Sequence, residues 1–490
     1  MSSFSVNEAA EGVLRRFEPL AAIPRPSKHE EAVSAYLADW FAARGIPCER
    51  DSAFNVIADI PATPGYENAP LTMLQAHTDM VTVAAPGVSY DPLTDPIRLS
   101  REGDTLRAVG TSLGADDGMG VAMILFAADA ENGLVHGPLR AVFTADEEQG
   151  MSGVNNLLPR HAAGAEYCLN LDSEEVGVIT VSSASGTDAD YTLTPETAPA
   201  ALPAALRLSV TGILGGHSGA EIDAGHINGI QALARFLRSL SATGVGFELG
   251  SFRGGAARNA IPAFADAVLC VSESDAARVP ALAAAYEEGL RAKYAATDPD
   301  FTLTVTPTDA PSTVLTEKCA FAALRFAAEL PSGVYTMSKK IEGLVESSSS
   351  LGVAAVSPEG IYFADMIRSS EQARGEEIVR AQCALAEELG LLANVFGTAA
   401  AWPVREGSRL VSIASGAYEK RFGQRAEAVA IHAGLECGSF AALNGDLDII
   451  SIGPDSHAIH SPEESVDLPS VGKCMLWVAD ILAEIAEERR

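Results

Sequence analysis

Basic residues are scarce in this chain, cysteines are few and scattered, and no long apolar run interrupts it. Lysine and arginine number 34 against 65 aspartates and glutamates, a formal net charge of −31. A surface so acidic repels a phosphate backbone and an anionic bilayer alike, which argues against nucleic acid and membrane as partners. The seven cysteines (48, 168, 270, 319, 383, 437 and 474) are odd in number and never spaced as a CxxC pair. Such spacing speaks against a disulfide scaffold or a thiolate zinc site, suits a reducing cytoplasm, and leaves the thiols as packing residues. No stretch approaches the ~18 uninterrupted apolar residues of a membrane span. The first twenty residues carry Glu8, Glu11, Arg15 and Arg16 with no apolar segment behind a basic start, and read as an amphipathic helix, not a signal peptide. There is no internal repeat, and no low-complexity tract beyond Ser347–Ser350.

What is present is a globular balance, 47% hydrophobic and 20% charged residues, in a chain of 490 residues that calls for two domains. Short apolar runs at 55–60, 71–76, 139–145, 167–171, 427–431 and 448–452 read as buried strands. Between them lie helical stretches. Ser27 to Glu30 reads as a capping box before a helix over 31–44 that stops at Gly45, and 118–129 and 470–488 read as further helices. This alternation predicts an α/β domain with a mixed, mainly parallel sheet flanked by helices. From 184 to 399 the texture changes. Runs at 206–210 and 301–306 alternate like half-exposed strands, and 227–240, 275–295 and 370–391 are amphipathic, the pattern of an inserted α+β domain. The expected division is 1–183 with 400–490 as a discontinuous catalytic domain, and 184–399 as the insertion.

The chemistry sits where the strands end. Run 71–76 leads into His77-Thr78-Asp79, run 139–145 into Asp146-Glu147-Glu148, and run 167–171 ends on Asp172. Run 427–431 ends on His432, and run 448–452 leads to His457 and His460. In an open α/β sheet the carboxyl ends of parallel strands share one edge, so these five ends bring histidines and carboxylates into one crevice. Imidazole and carboxylate without thiolate suit zinc or a similar divalent ion with a position open for water. Two metals sharing one carboxylate clamp a water and polarise a carbonyl together. Asp116, in Gly114-Ala115-Asp116-Asp117-Gly118, is the candidate bridge; the alternative is that Asp116 and Asp117 only cap a helix.

His77-Thr78-Asp79, Ala115-Asp116-Asp117-Gly118, Asp146-Glu147-Glu148, Asp172 and the late His460 resemble the ordered signature of the dinuclear zinc peptidases related to aminoacylase, carnosinase and glutamate carboxypeptidase. Further stretches resemble one branch of that family, the bacterial aminoacyl-histidine (Xaa-His) dipeptidases. They are Ile23-Pro24-Arg25-Pro26-Ser27, Leu169-Asn170-Leu171-Asp172-Ser173-Glu174, Gly215-Gly216-His217-Ser218-Gly219 and Arg258-Asn259-Ala260-Ile261-Pro262. Ile341-Glu342-Gly343-Leu344-Val345, His432-Ala433-Gly434-Leu435-Glu436-Cys437 and His460-Ser461-Pro462-Glu463 complete the set, in the family's order over nearly the whole chain. Gly118 departs from the wider family, which usually has lysine there, and is similar to the dipeptidase branch.

The resemblance implies roles. His77, Asp116 and Asp172 would hold one zinc, and Asp116, Glu148 and His460 the other, with cobalt or manganese as substitutes for the two ions per subunit. Asp79 would orient His77, and Glu147 would be the general base. His217 would stabilise the oxyanion, and Asn259 and Arg368 would hold the substrate's backbone and terminal carboxylate. His432 and Glu436, spaced like a zinc pair, would line the site without ligating. The inserted domain would be a lid that also supports a homodimer, and the peptide bond between Asp116 and Asp117 would be cis. The implied activity is hydrolysis of Xaa-His and related dipeptides in the cytoplasm. A metal-dependent aminoacylase or deacylase acting on N-acyl amino acids is the nearest alternative, and a non-catalytic metal-binding or scaffold protein the alternative of another class.

Overall fold

The computed structural model describes residues 4–339 and 341–489; the first three residues of the helix expected at the N-terminus lie outside them. The chain divides into two compact units, one of Met1–Ser183, Trp402–Ala430 and Leu435–Arg490, the other of Ala184–Ala401 and Ile431–Gly434.

The first unit is built on an eight-stranded sheet. From one edge the strands run Cys48–Arg50, Val56–Ile60, Leu139–Thr144, Leu71–His77, Ala165–Asn170, Asp448–Ser451, Val178–Ser183 and Glu427–Ile431. The four from Leu139–Thr144 to Asp448–Ser451 are mutually parallel, and Val56–Ile60 and Val178–Ser183 flank them antiparallel. These central strands are apolar on both faces: Met73, Leu74, Ala76, Ala141, Val142, Phe143, Cys168 and Leu169 are all inaccessible to solvent. Double burial follows from helices covering a parallel sheet. The helices Val6–Ala21, Ala115–Ala128 and Leu468–Glu487 pack together, with Phe17, Phe126 and Trp477 in their core. The α/β sheet expected from the alternation is therefore present, with one difference. Run 427–431 forms a strand at the outer edge with its first residues exposed, so it is not a buried strand.

A capping box does open a helix here, at Ser5 and Glu8. The one expected at Ser27 and Glu30 does not form. The helix runs Glu31–Ala42, and neither side chain caps it. Ser27 Oγ instead donates to Asp79 Oδ2 at 2.8 Å, and Glu30 Oε1 accepts the N–H groups of Lys28 and Asp146 at 2.7 and 2.9 Å. Buried polar groups supplied by distant strands compete with local capping, and here they win.

The second unit is an α+β body. Its nine-stranded sheet is antiparallel among the described residues, and its order places Thr302–Pro307 beside Ala204–Thr211 and ends at Leu392–Ala399. Helices Gly229–Ala242, Glu273–Lys293, Glu317–Glu329 and Gln372–Leu389 pack with that sheet around a core containing Phe236, Phe252, Phe326 and Phe363.

Candidate metal centre

Because the four central strands of the first unit are parallel, their carboxyl ends open on one edge. His77 closes the strand Leu71–His77, Asp146-Glu147-Glu148 follow Leu139–Thr144, Asp172 follows Ala165–Asn170, and the segment bearing His460 follows Asp448–Ser451. The helix Ala115–Ala128 contributes Asp116 and Asp117 from its first turn, where both leave helical geometry and the peptide bond between them is cis.

Asp116 spans the two histidines. Its Oδ1 lies 3.0 Å from His77 Nε2 and its Oδ2 lies 3.1 Å from His460 Nε2. On the His77 side, Asp172 Oδ1 is 3.5 Å from the same ring nitrogen; on the His460 side, Glu148 Oε2 is 2.9 Å from it. Asp117 also comes near, with a carboxylate oxygen within 4.8 Å of donor atoms of His77 and Asp172. Its Oδ2 accepts the His77 backbone N–H at 3.2 Å and its Oδ1 accepts that of Gly120 at 3.1 Å, so Asp117 caps the regular part of the helix while Asp116 does not. His457 is exposed, with its backbone opposite Ser465.

Asp79 is inaccessible and joins two of these segments. Its Oδ1 lies 3.4 Å from His77 Nδ1, at the outer limit of a hydrogen bond, and its two oxygens accept the N–H groups of Glu147 and Glu148. Glu436 is also inaccessible, so it sits in the frame behind the cluster and not at an open surface. Its Oε2 accepts from Gln75 Nε2 at 2.6 Å and Thr144 Oγ1 at 2.5 Å, and Gln75 Oε1 accepts from Asn170 Nδ2 at 2.6 Å. That network cross-links the ends of three parallel strands.

The electrostatics show a cluster short of positive charge. Burial alone would lower the pKa of His460, but Asp116 and Glu148 bring it up to about 11. Burial opposes protonation of His77 too, and Asp172, Asp116 and Asp79 still raise it well above the ordinary imidazole range. Burial pushes Asp172 up to about 7, and burial with Asp172, Glu148 and Glu436 nearby raises Glu147 well above the carboxylate range. The acidic neighbours thus favour positive charge at both imidazoles. His77 with Asp116 and Glu148, and His77 with Asp117 and Asp172, lie close enough to hold an ion, and His460 Nε2 lies against Asp116 and Glu148; imidazole and carboxylate without thiolate are a donor set that fits a divalent ion such as zinc. Glu147, buried among acids and next to Glu148, therefore holds its proton more tightly than an ordinary carboxyl.

In the second unit, His217 pairs with Ala260 in a two-stranded ribbon. Its Nδ1 accepts the N–H groups of Gly219 and Ala220 at 3.3 and 3.1 Å, which leaves the proton of the neutral ring on Nε2, a donor. Asn259 is exposed, and its carbonyl accepts the Ser218 N–H. Arg368 is only 5% exposed, its Nε has no hydrogen-bond partner, and burial lowers its pKa to about 10. His432, expected with the strand-end cluster, belongs instead to this unit. Its Nε2 lies 2.7 Å from Ser348 Oγ, and burial with Arg368 nearby lowers it to about 4. His217, Arg368 and His432 meet at Gly219, where an added Cβ would fall 2.3 Å from the His432 carbonyl oxygen and 3.1 Å from Arg368 Nε.

Sequence reasoning gave no role to Gln75, Thr144, Asn170, Arg25 and Glu464, all buried and all bonded to the ligand-bearing segments. The signal was a polar residue inside or beside an apolar run.

Carboxylates and imidazoles gathered at the carboxyl edge of a parallel sheet place the molecule among the metallohydrolases. The chain belongs to peptidase family M20/M25/M40, which its residues 73–484 match. It is 33% identical over 471 residues to the cytosol non-specific dipeptidase of Escherichia coli strain K12, 96% of each chain being covered. Its fold is similar to that of the aminoacylhistidine dipeptidase of Vibrio alginolyticus, with a TM-score of 0.85, 31% identity and 96% of both chains covered. The aminopeptidase PepT of Bacillus cereus, at 16% identity and a TM-score of 0.56 over 97% of this chain and 99% of its own, shares the fold alone.

Proposed function

We propose that this peptidase is a dipeptidase that hydrolyses Xaa-His and related dipeptides at a pair of divalent ions, zinc by preference. The observation that carries the proposal is the Asp116 carboxylate, one oxygen toward His77 and the other toward His460. His77, Asp116 and Asp172 would hold one ion; Asp116, Glu148 and His460 the other. Bound there, two such ions supply the Lewis acidity that polarises the scissile carbonyl and acidifies a water. Glu147 takes the proton of that water as it attacks the carbonyl, and gives it to the leaving amine as the C–N bond breaks. Asp79 keeps the proton of His77 on Nδ1, leaving Nε2 for the ion. The relatives' names, with identities above 30% over nearly the full chain, support dipeptides as the substrate class.

The second unit is assigned the lid and dimerisation role. His217, a donor through Nε2, suits a developing oxyanion, and the buried guanidinium of Arg368 suits a terminal carboxylate. The exposed Asn259 is assigned to the substrate backbone, and His432 to the wall of the substrate site. A homodimer is supported by the edge strand Leu392–Ala399, where Leu392 is 74% and Phe396 39% exposed. Among the described residues no helix is long and apolar enough to cross a membrane. Seven unpaired cysteines and the cytosolic relative support the cytoplasm.

The test is a panel of Ala-His, β-Ala-His, other dipeptides and N-acetyl amino acids on metal-defined protein. Dipeptides should be cleaved, chelation should abolish cleavage, and zinc or manganese should restore it. Preferred turnover of N-acetyl amino acids would make it an aminoacylase, and full activity in protein shown to be metal-free would end the two-ion reading.

A further inference from the structure

Two buried side chains of opposite charge hold the segment that carries Asp116. Glu464 is 2% exposed and spends both carboxylate oxygens on backbone N–H groups. Its Oε2 accepts from Leu113 and Gly114 at 2.7 and 2.9 Å, and its Oε1 from Ala115 and Asp116 at 2.8 and 3.4 Å. Arg25, also 2% exposed, donates through Nη2 to the Gly114 carbonyl, and through Nη1 to the carbonyls of Thr78 and Asp79 at 2.8 and 2.9 Å. Arg25 thus ties the Asp116 segment to the His77 segment, and Glu464 ties it to the loop carrying His460. Gly118 leaves room for this arrangement: an added Cβ there would lie 2.6 Å from Arg25 Nη2 and 2.7 Å from Phe17 Cε2.

The loop between His460 and Glu464 is short and internally braced. Ser461 Oγ donates to the Ala458 carbonyl and accepts the Glu463 N–H, the Glu464 N–H returns to the Ser461 carbonyl, and Arg107 Nη1 donates to the Glu463 carbonyl. A rigid loop fixed to the Asp116 backbone by several charge-assisted bonds carries its imidazole to a set distance from the Asp116 carboxylate. His460 itself is the more exposed ligand candidate, its side chain 45% accessible against 1% for His77, so surrounding packing constrains it least.

We propose that Glu464 is a positioning residue for the metal centre, setting the separation between the Asp116 carboxylate and His460 so that the ion on Asp116, Glu148 and His460 depends on it. The inference rests on the two-ion reading above. The ion on His77, Asp116 and Asp172 depends on Arg25 and Asp79 instead, and is the less sensitive of the two to Glu464.

The experiment is chelator-competition titration of zinc into metal-free wild type, Glu464→Gln, His460→Ala and the double variant, with circular dichroism of each metal-free protein. The Glu464→Gln change keeps the side-chain volume but sets an NH2 group against backbone donors. Wild type should bind two ions, and Glu464→Gln should bind one as tightly as wild type and the other about 10–100-fold more weakly, the usual effect of an outer partner of a ligand. Adding Glu464→Gln to His460→Ala should lower affinity no further, because both act on the same ion. If Glu464→Gln does not fold, Glu464→Asp, which keeps the charge but draws the carboxylate back, is read by the same criteria. Two ions bound with wild-type affinity, or both weakened alike together with lower thermal stability of the metal-free protein, would overturn the positioning role. Fewer than two ions in wild type would overturn the two-ion reading, and this inference with it.

Discussion

Asp79 accepts the backbone N–H of Glu147 at 3.0 Å through the same oxygen that lies 3.4 Å from His77 Nδ1. One buried carboxylate therefore lies between an imidazole on one strand end and the backbone of the proposed base on another. Asp79→Asn, which would set an NH2 group against one of these partners, should lower turnover and metal affinity each by about 10–100-fold. Steady-state kinetics and metal titration check this; wild-type values for both would remove Asp79 from the mechanism.

Glu147→Gln preserves volume and polarity but cannot accept a proton at neutral pH. Metal content and folding should stay as in wild type while kcat falls by about 10²–10⁴. Glu148→Gln should lose metal as well as activity. Elemental analysis beside kinetics separates the two, and the opposite pattern would exchange their roles.

His457 and His460 are both exposed, but His460 lies against Asp116 and Glu148. His460→Ala should drop one of two bound ions, and His457→Ala should keep both. Loss of an ion from His457→Ala alone would refute the assignment.

Glu436 gives a pH dependence with a definite sign. Burial raises its pKa to about 8 in the folded chain, above the unfolded carboxyl value. Between those values the folded state holds a proton that the unfolded state has lost, so stability falls as pH rises toward 8 and levels off beyond it. Glu436→Gln should flatten that slope in metal-free protein, as denaturant midpoints from about pH 5 to 9 would show. An unchanged slope would mean that Glu436 is not the group titrating.

The helix start near Ser27 shows where local reading fails. Ser27 and Glu30 have capping-box spacing, yet Ser27 bonds Asp79 and Glu30 bonds Asp146, partners from remote strand ends. His432 shows it again: it follows a strand as His77 does, but that strand lies at the sheet's outer edge and His432 bonds Ser348. Glu464 was invisible for the opposite reason, since an acid beside Glu463 reads as surface until its carboxylate is found on four backbone donors.

The sequence by itself determined the alternation of apolar runs and amphipathic segments, hence the parallel sheet, and the placing of His77, Glu147, Glu148 and Asp172 just past strand ends. Periodicity and burial are properties of short windows, and parallel pairing sends every carboxyl end to one edge. Only the tertiary structure decided which carboxylates lie against His77 and His460 and which buried polar groups brace the cluster. Those choices depend on where a side chain points and which distant donors meet it, and neither is encoded in spacing along the chain.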